Sequence, residues 1–441
     1  MATQPAGLKK SISAIVQREA AVAVELADKI GAAAEPGFLE TRSSRMLADY
    51  LEKNGFLVEW PWKHMPTAFR AVAGRGRPVI GVLAEYDALP DCGREPGTYG
   101  HGCGHNLIGV GAAVAAAAAA NLLRRTKRRG QVVVWGCPAE ELLAGKVYMA
   151  RDGAFRGNDA ILAWHPSSVN GVSGAGGSAL DSIHVEYFGK TAHATGAEHG
   201  RSALDAVILL DVAVNYLREH MPEQVRIHMC IPRGGEFPNV VPAYAKSWYY
   251  IRGRDRAEVE AIGKRFRACA RAAALATGTR AKITRLTGIY SRQPNDTLAG
   301  LLLRNLKLFG IPAPTAGDAR TLKKMGVKTT YNQNIRDDFG VQGRASSDQD
   351  SVSRLVPFGG ELTIACVPVK TPGHHRDYAA RIALPFAKRA MLRAAEVLAA
   401  SMVTLVTDGK LLAQARTEFK KRSKGFVYDP VIPKRQKPRP A

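Results

Sequence analysis

Three short apolar runs, residues 79–84 (VIGVLA), 131–135 (QVVVW) and 160–164 (AILAW), each followed by helical sequence, constrain this chain more than anything else in it. Runs of that length suit strands buried on both faces, the kind found in parallel sheets covered by helices. An α/β fold with a mostly parallel sheet is therefore expected. Upstream, Ile12, Ile15, Val16, Ala20 and Val24 recur at helical spacings, and a second helix is expected over residues 43–54, stopped by Gly55.

The pattern changes after the glycine-rich stretch 171–177. Residues 182–188 alternate, 202–217 read as an amphipathic helix, 225–230 and 245–252 as strands, 257–276 as a helix and 281–286 as a strand. That β-α-β-β-α-β order describes a small α+β domain of ferredoxin-like type. It reads as an insertion, because α/β sequence resumes near Thr297 and closes in a long helix over 379–402. The expected division is an α/β segment over 1–177, the inserted domain over 178–290, a second α/β segment over 291–414 and a basic tail over 415–441. The Lys, Arg and Pro content of that tail is typical of disordered segments.

Composition narrows the function. Among 441 residues, 46% hydrophobic and 23% charged, disordered and collagen-like readings are excluded. A net charge of +23 raises nucleic acid as a partner, but the 62 Lys and Arg are spread along the chain and no nucleic-acid motif accompanies them. No specific nucleic acid is expected; attraction of small anions is the milder consequence. Six cysteines without paired spacing, and an N-terminal segment without a secretory apolar core, point to a reducing cytoplasm. The mostly alanine run 107–120 falls short of the roughly 20 residues a bilayer needs, so it is expected to be a packed internal helix and not a membrane span.

The chemistry concentrates in four places. Tyr99-Gly-His101-Gly-Cys103-Gly-His105-Asn106 sets three potential metal ligands at every second residue, with glycines that let the backbone bend so that they can converge. Alternating glycines also suggest a dinucleotide loop, but His105 or Leu107 stands where its last glycine is required. Glu140-Glu141 follows a buried strand, where open α/β sheets place their sites; one carboxylate can hold a metal while its neighbour acts as a general base. His165 ends another strand-like run, and His374-His375 lies in a loop before the closing helix. Thiol, imidazole and carboxylate together suit zinc, manganese or a related divalent ion. No H-E-x-x-H helix and no G-x-S-x-G elbow is present.

The stretches GHGCGHN, PAEELLAGKVYMARDGAF, AWHP, FGKTAHA, PNVVPAYAKSWYYIRGR and PGHH occur in this order. In this the chain resembles the amidohydrolase branch of the aminoacylase and carboxypeptidase metallopeptidases, and most resembles its aminobenzoyl-glutamate hydrolases. The resemblance implies a metallohydrolase domain with an inserted lid and dimerisation domain, and one or two Mn or Zn ions per subunit. It implies Cys103, His105, Glu141, His165 and His374 as metal ligands and Glu140 as general base. It further implies that His193 steadies the developing oxyanion, often across a dimer, and that Asn239 and Arg252 contact a substrate carboxylate. Asp87 matches a carboxylate near the metal, and Glu85 stands where other branches have a metal-binding histidine. A homodimer or higher homo-oligomer acting on a small anionic substrate is expected.

The chain departs from the family pattern at Leu142-Leu143, at residues 345–354 (ASSDQDSVSR) and at Arg376, changes expected near the substrate pocket. The implied activity is hydrolysis of a carbon–nitrogen bond in an anionic, possibly aromatic N-acyl amino acid. The alternatives are release of ammonia from an aromatic amine, as in the 5-nitroanthranilate aminohydrolases, and a non-enzymatic basic nucleic-acid binder with a structural metal.

Overall fold

The computed structural model describes residues 5–340 and 342–439. Helices α1 (Pro5–Ala33) and α2 (Thr41–Lys53) precede β1 (Leu57–Glu59), β2 (Phe69–Arg75) and β3 (Val79–Glu85). Then come α3 (His105–Arg125), β4 (Gly130–Cys137), α4 (Gly145–Arg151), β5 (Ala160–Ser167) and β6 (Gly171–Ser173). The inserted region holds β7 (Ala179–Phe188), α5 (Ala203–Arg218), β8 (Arg226–Arg233), β9 (Tyr244–Gly253), α6 (Arg256–Thr277) and β10 (Arg280–Ile289). The chain finishes with α7 (Asp296–Phe309), α8 (Ala316–Lys324), α9 (Gln349–Val352), β11 (Phe358–Ala365), α10 (Arg376–Ile382), α11 (Pro385–Thr407) and α12 (Gly409–Arg422).

Two sheets result. The seven-stranded sheet runs β1-β2-β4-β3-β5-β11-β6. Its four central strands, β4, β3, β5 and β11, are parallel, whereas β1, β2 and β6 pair antiparallel at the edges. The apolar central runs thus lie where helices cover both faces. The antiparallel strands escape the sequence pattern because the buried side of Phe69–Arg75 is one phenylalanine and two alanines and Leu57–Glu59 is only three residues long. The second sheet is antiparallel, in the order β10-β7-β9-β8. Inward residues such as Tyr187, Tyr249 and Ile251 pack with Val207, Leu210 and Phe266 of α5 and α6. The other face of this lid sheet carries neither α5 nor α6, and α4 approaches it at β10.

Helix α3 is 21 residues long, and with α11 it meets the length and hydropathy of a membrane span. Length therefore does not separate the two possibilities; burial does, since α3 is enclosed in the main core. Its small residues permit close approach. A Cβ on Gly111 would stand 2.8 Å from the Trp164 indole, whose Nε1 donates to the Ile108 carbonyl at 3.1 Å. The closing helix is divided in two, with Pro385 at the start of α11.

The tail differs from its composition. Residues 415–422 belong to α12, which Asp408 caps and which buries Leu412 and Ala415, so a boundary at 415 falls inside a helix. Beyond it a strap crosses to the lid. Ile432 and Tyr428 join an apolar cluster, Tyr290 donates to the Asp429 carbonyl at 2.9 Å, and Gln436 Nε2 bridges the Leu286 carbonyl (2.5 Å) and the Tyr148 hydroxyl (2.8 Å). Burial of apolar side chains and satisfied backbone groups hold this basic segment in place.

Candidate metal centre

The parallel strands end at one edge of the sheet, and the polar side chains gather there. Glycine at position 104 takes φ 82° and starts α3, so that Cys103 and His105 face the same point. After β4 the backbone turns sharply, with positive φ at Ala139 (53°) and Leu143 (54°). A Cβ at Gly145 would stand 1.7 Å from the Pro138 carbonyl oxygen, which restricts that position to glycine. The turn is held on one side by Glu40, which accepts from the Ala139 amide at 2.7 Å, and on the other by Thr287 of the lid, which donates to the Leu143 carbonyl at 2.9 Å. Strained backbone supported from two sides is a recurrent property of reactive loops.

The donors converge. Ligand atoms of Cys103, His105 and His165 lie within 4.8 Å of one another, as do those of Cys103, Glu141 and His374, and those of His105, Glu140 and Glu141. Cys103 Sγ is 3.3 Å from His165 Nε2. His165 Nδ1–H donates to the Pro166 carbonyl at 2.6 Å, and His105 Nδ1–H to Asp87 at 2.7 Å, which leaves Nε2 of each ring as the lone-pair nitrogen. Asp87 also accepts from the Glu141 amide at 2.9 Å. His374, at φ 52°, comes from the opposite loop, tied by its amide to the Gly102 carbonyl at 2.9 Å, and its Nε2 is 3.6 Å from Glu141.

This cluster fits a divalent cation. His105 Nε2 and Glu141 Oε1 are buried without a hydrogen-bond partner. Around His105 Nε2 stand Glu85 at 3.7 Å, Glu140 at 3.8 Å and Glu141 at 3.7 Å, a concentration of acid that burial makes costly. Burial, then the charges of Glu85 and Glu141, push Glu140 well above the carboxylate range. Burial pushes Glu141 up to about 7 and the Cys103 thiol above its usual value. Each effect is the proton affinity of a donor set that a cation would otherwise neutralise.

Other residues are sorted differently from the spacing. His101 does not converge. Its Nε2 lies 3.2 Å from the Ile30 carbonyl, its Nδ1 accepts from the Asn106 amide, and burial lowers its pKa to about 4, so it is a neutral structural histidine. His375 caps α10, accepting from the Asp377 amide. Within the stretch 345–354, Asp348 meets Lys146 at 2.5 Å and Asp350 meets Arg292 at 2.5 Å, all four buried. Lys146, which nothing in the sequence marks, is fully buried between Asp348 and Glu85 (2.7 Å). Burial pushes Glu85 up, but the charges of Lys146 and His105 and the Lys146 hydrogen bond together outweigh it and hold Glu85 below the usual carboxylate range.

The lid contributes unevenly. Arg252 leans over the Tyr250 ring at 5.8 Å, and Tyr250 packs against the apolar cluster of Ala139 and Leu143, which flank the Glu140-Glu141 pair. His193 and Asn239 do not join the metal donors. Both are exposed on lid loops, where the Asn239 carbonyl accepts from the Ala194 amide and His193 Nδ1 accepts from Thr195.

Comparison with known proteins agrees with this geometry. The sequence pattern of peptidase family M20/M25/M40 matches residues 81–276. One of the subunits of the p-aminobenzoyl-glutamate hydrolase of Escherichia coli is 34% identical over 94% of this chain and 95% of its own length. The Xaa-Arg dipeptidase of Mus musculus is 31% identical over 92% of each. Among solved structures, an aminobenzoyl-glutamate utilization protein from Klebsiella pneumoniae superposes with a TM-score of 0.61 at 18% identity, covering 88% of this chain and 97% of that one. A dinuclear metal-binding peptidase from Bacillus subtilis gives 0.56 at 19%, covering 88% and 99%. Near-complete coverage by named hydrolases, with the donor cluster inside the matched region for all but His374, establishes that the chain belongs to peptidase family M20/M25/M40 and hydrolyses a carbon–nitrogen bond.

Proposed function

We propose that this protein cleaves the amide bond of an anionic N-acyl amino acid with an aromatic or apolar acyl group, using one or two divalent ions of the Mn or Zn type. The convergence of Cys103, His105, Glu141, His165 and His374 beside Glu140 carries the reading. A bound divalent ion supplies Lewis acidity to this chemistry. Glu140, whose proton affinity is raised by burial, accepts the proton of the attacking water and passes it to the departing amide nitrogen. Arg252 attracts the substrate carboxylate toward the cluster, and Asp87 keeps the His105 ring in its metal-facing tautomer. The amide hydrolases among the relatives favour this chemistry over loss of ammonia from a ring amine.

The active unit is a homodimer in this proposal. Ile208, Val212 and Tyr216 form an exposed apolar stripe on α5, and β8 is an unpaired sheet edge. A second copy against these features would cover both and bring its His193 and Asn239 into play. The Escherichia coli relative is named as one subunit of its enzyme, which makes a different partner chain the competing outcome.

The test is Glu140→Gln. Elemental analysis should find the metal content of the wild type, while hydrolysis of aminobenzoyl- and benzoyl-amino acids falls by roughly 10²–10⁴. Normal turnover by this variant would overturn the assignment of the base. Free ammonia in place of a released amino acid would overturn the amide reading.

A further inference from the structure

The lid sheet carries a second feature that the metal centre does not use. Along β9, Lys246, Trp248, Tyr250 and Arg252 alternate with the inward residues and project from the face opposite α5 and α6. Their rings form a continuous series: Arg252 lies over Tyr250 at 5.8 Å, Tyr250 meets Trp248 at 5.8 Å, and Trp248 meets His184 of β7 at 5.2 Å. At one end Tyr250 packs against the apolar cluster of Ala139 and Leu143, which flank the Glu140-Glu141 pair. At the other, Trp248 and Lys246 line a cleft of ≈ 660 Å³, walled across from them by Phe38, Leu142 and Tyr148. Leu142 directly follows the Glu140-Glu141 pair.

The charge in this cleft is one-sided. Lys246, Lys282, Lys437 and Arg439 line it, against the single carboxylate Glu186 among the described lining residues. Lys282 is paired with Glu186 at 3.2 Å; Lys246, Lys437 and Arg439 have no ion pair among the described residues. The last two come from the C-terminal strap, held here by Gln436. His184 contributes no charge: burial and Lys246 lower its pKa to about 4, and its Nε2 is buried without a partner. An aromatic floor with unpaired cations around it recognises a flat apolar body that ends in an anion.

We propose that this cleft is a binding site for aryl anions. Resting on the amide-hydrolase reading, it takes the far end of an elongated aromatic acyl group bearing a distal carboxylate or sulfonate, with the amide left at the metal centre.

Calorimetric titration of the metal-loaded protein with biphenyl-4-sulfonate and with its neutral counterpart biphenyl-4-sulfonamide tests the site without any turnover. The sulfonate should bind about tenfold more tightly, and Lys246→Met with Arg439→Gln should bring the ratio close to one. Arg439→Gln alone, at an exposed position of the strap, should lower the ratio in part and guards against misfolding of the double variant. Equal affinities, no binding of either probe, or an unchanged ratio in the variants would overturn the proposal. N-(4′-carboxybiphenyl-4-carbonyl)-glutamate should then exceed its uncharged biphenyl analogue in kcat/KM by a similar factor. Equal kcat/KM values would overturn the substrate assignment. If neither amide is cleaved while the sulfonate preference holds, the assignment of the cleft to the acyl group of an amide substrate fails and the aryl-anion site stands.

Discussion

Asp87 spends both of its oxygens on orientation, one on His105 and the other on the Glu141 amide, so two donors from distant parts of the chain share one support. Asp87→Asn is expected to weaken metal binding by roughly 10–100-fold, measured by competition with a chromogenic chelator, because the His105 ring loses its anionic partner. Unchanged affinity would mean that packing alone sets the ring. At this scale the sequence carries the donor types but not their directions. His101, Cys103 and His105 are spaced alike, and the torsions at the intervening glycines decide that His101 turns to Ile30 while the other two meet. Lys146 has no signal at all: in GKVYMAR it reads as a solvated helix residue, and only the fold shows two acids closing on it.

Element by element, the readable parts are those whose burial is uniform. The central strands and α3 are apolar throughout and are legible as such; β1, β2 and β6, short or half-exposed at the sheet edge, carry patterns too weak to separate from loop. Helix α12 is obscured by its charge, since only Leu412 and Ala415 are buried along it. Helix α3 also shows how little slack the core has. Gly111→Val should place methyl groups against Trp164 and destabilise the protein by about 1–3 kcal/mol in denaturant unfolding, the usual cost of overpacking. A variant as stable as the wild type would show that α3 can slide away from β5.

For the whole molecule, the division of labour is between a rigid sheet edge that gathers the donors and a lid whose open face looks toward it. Tyr216, 73% exposed on α5, marks the face proposed above for a second copy. Tyr216→Glu is expected to halve the mass seen by light scattering in solution, and a mass unaffected by the change would exclude this face as the contact. The strap from α12 adds a directional constraint. It is fastened to the β10 side of the lid at Leu286 and Tyr290, while among the described residues no hydrogen bond joins it to β8, on the far side of that sheet. Any closing movement of this region would be restrained along the strapped β10 border and unrestrained by the strap along β8. A fusion partner appended after the strap would therefore load the restrained border, whereas one at the amino end would leave it unburdened.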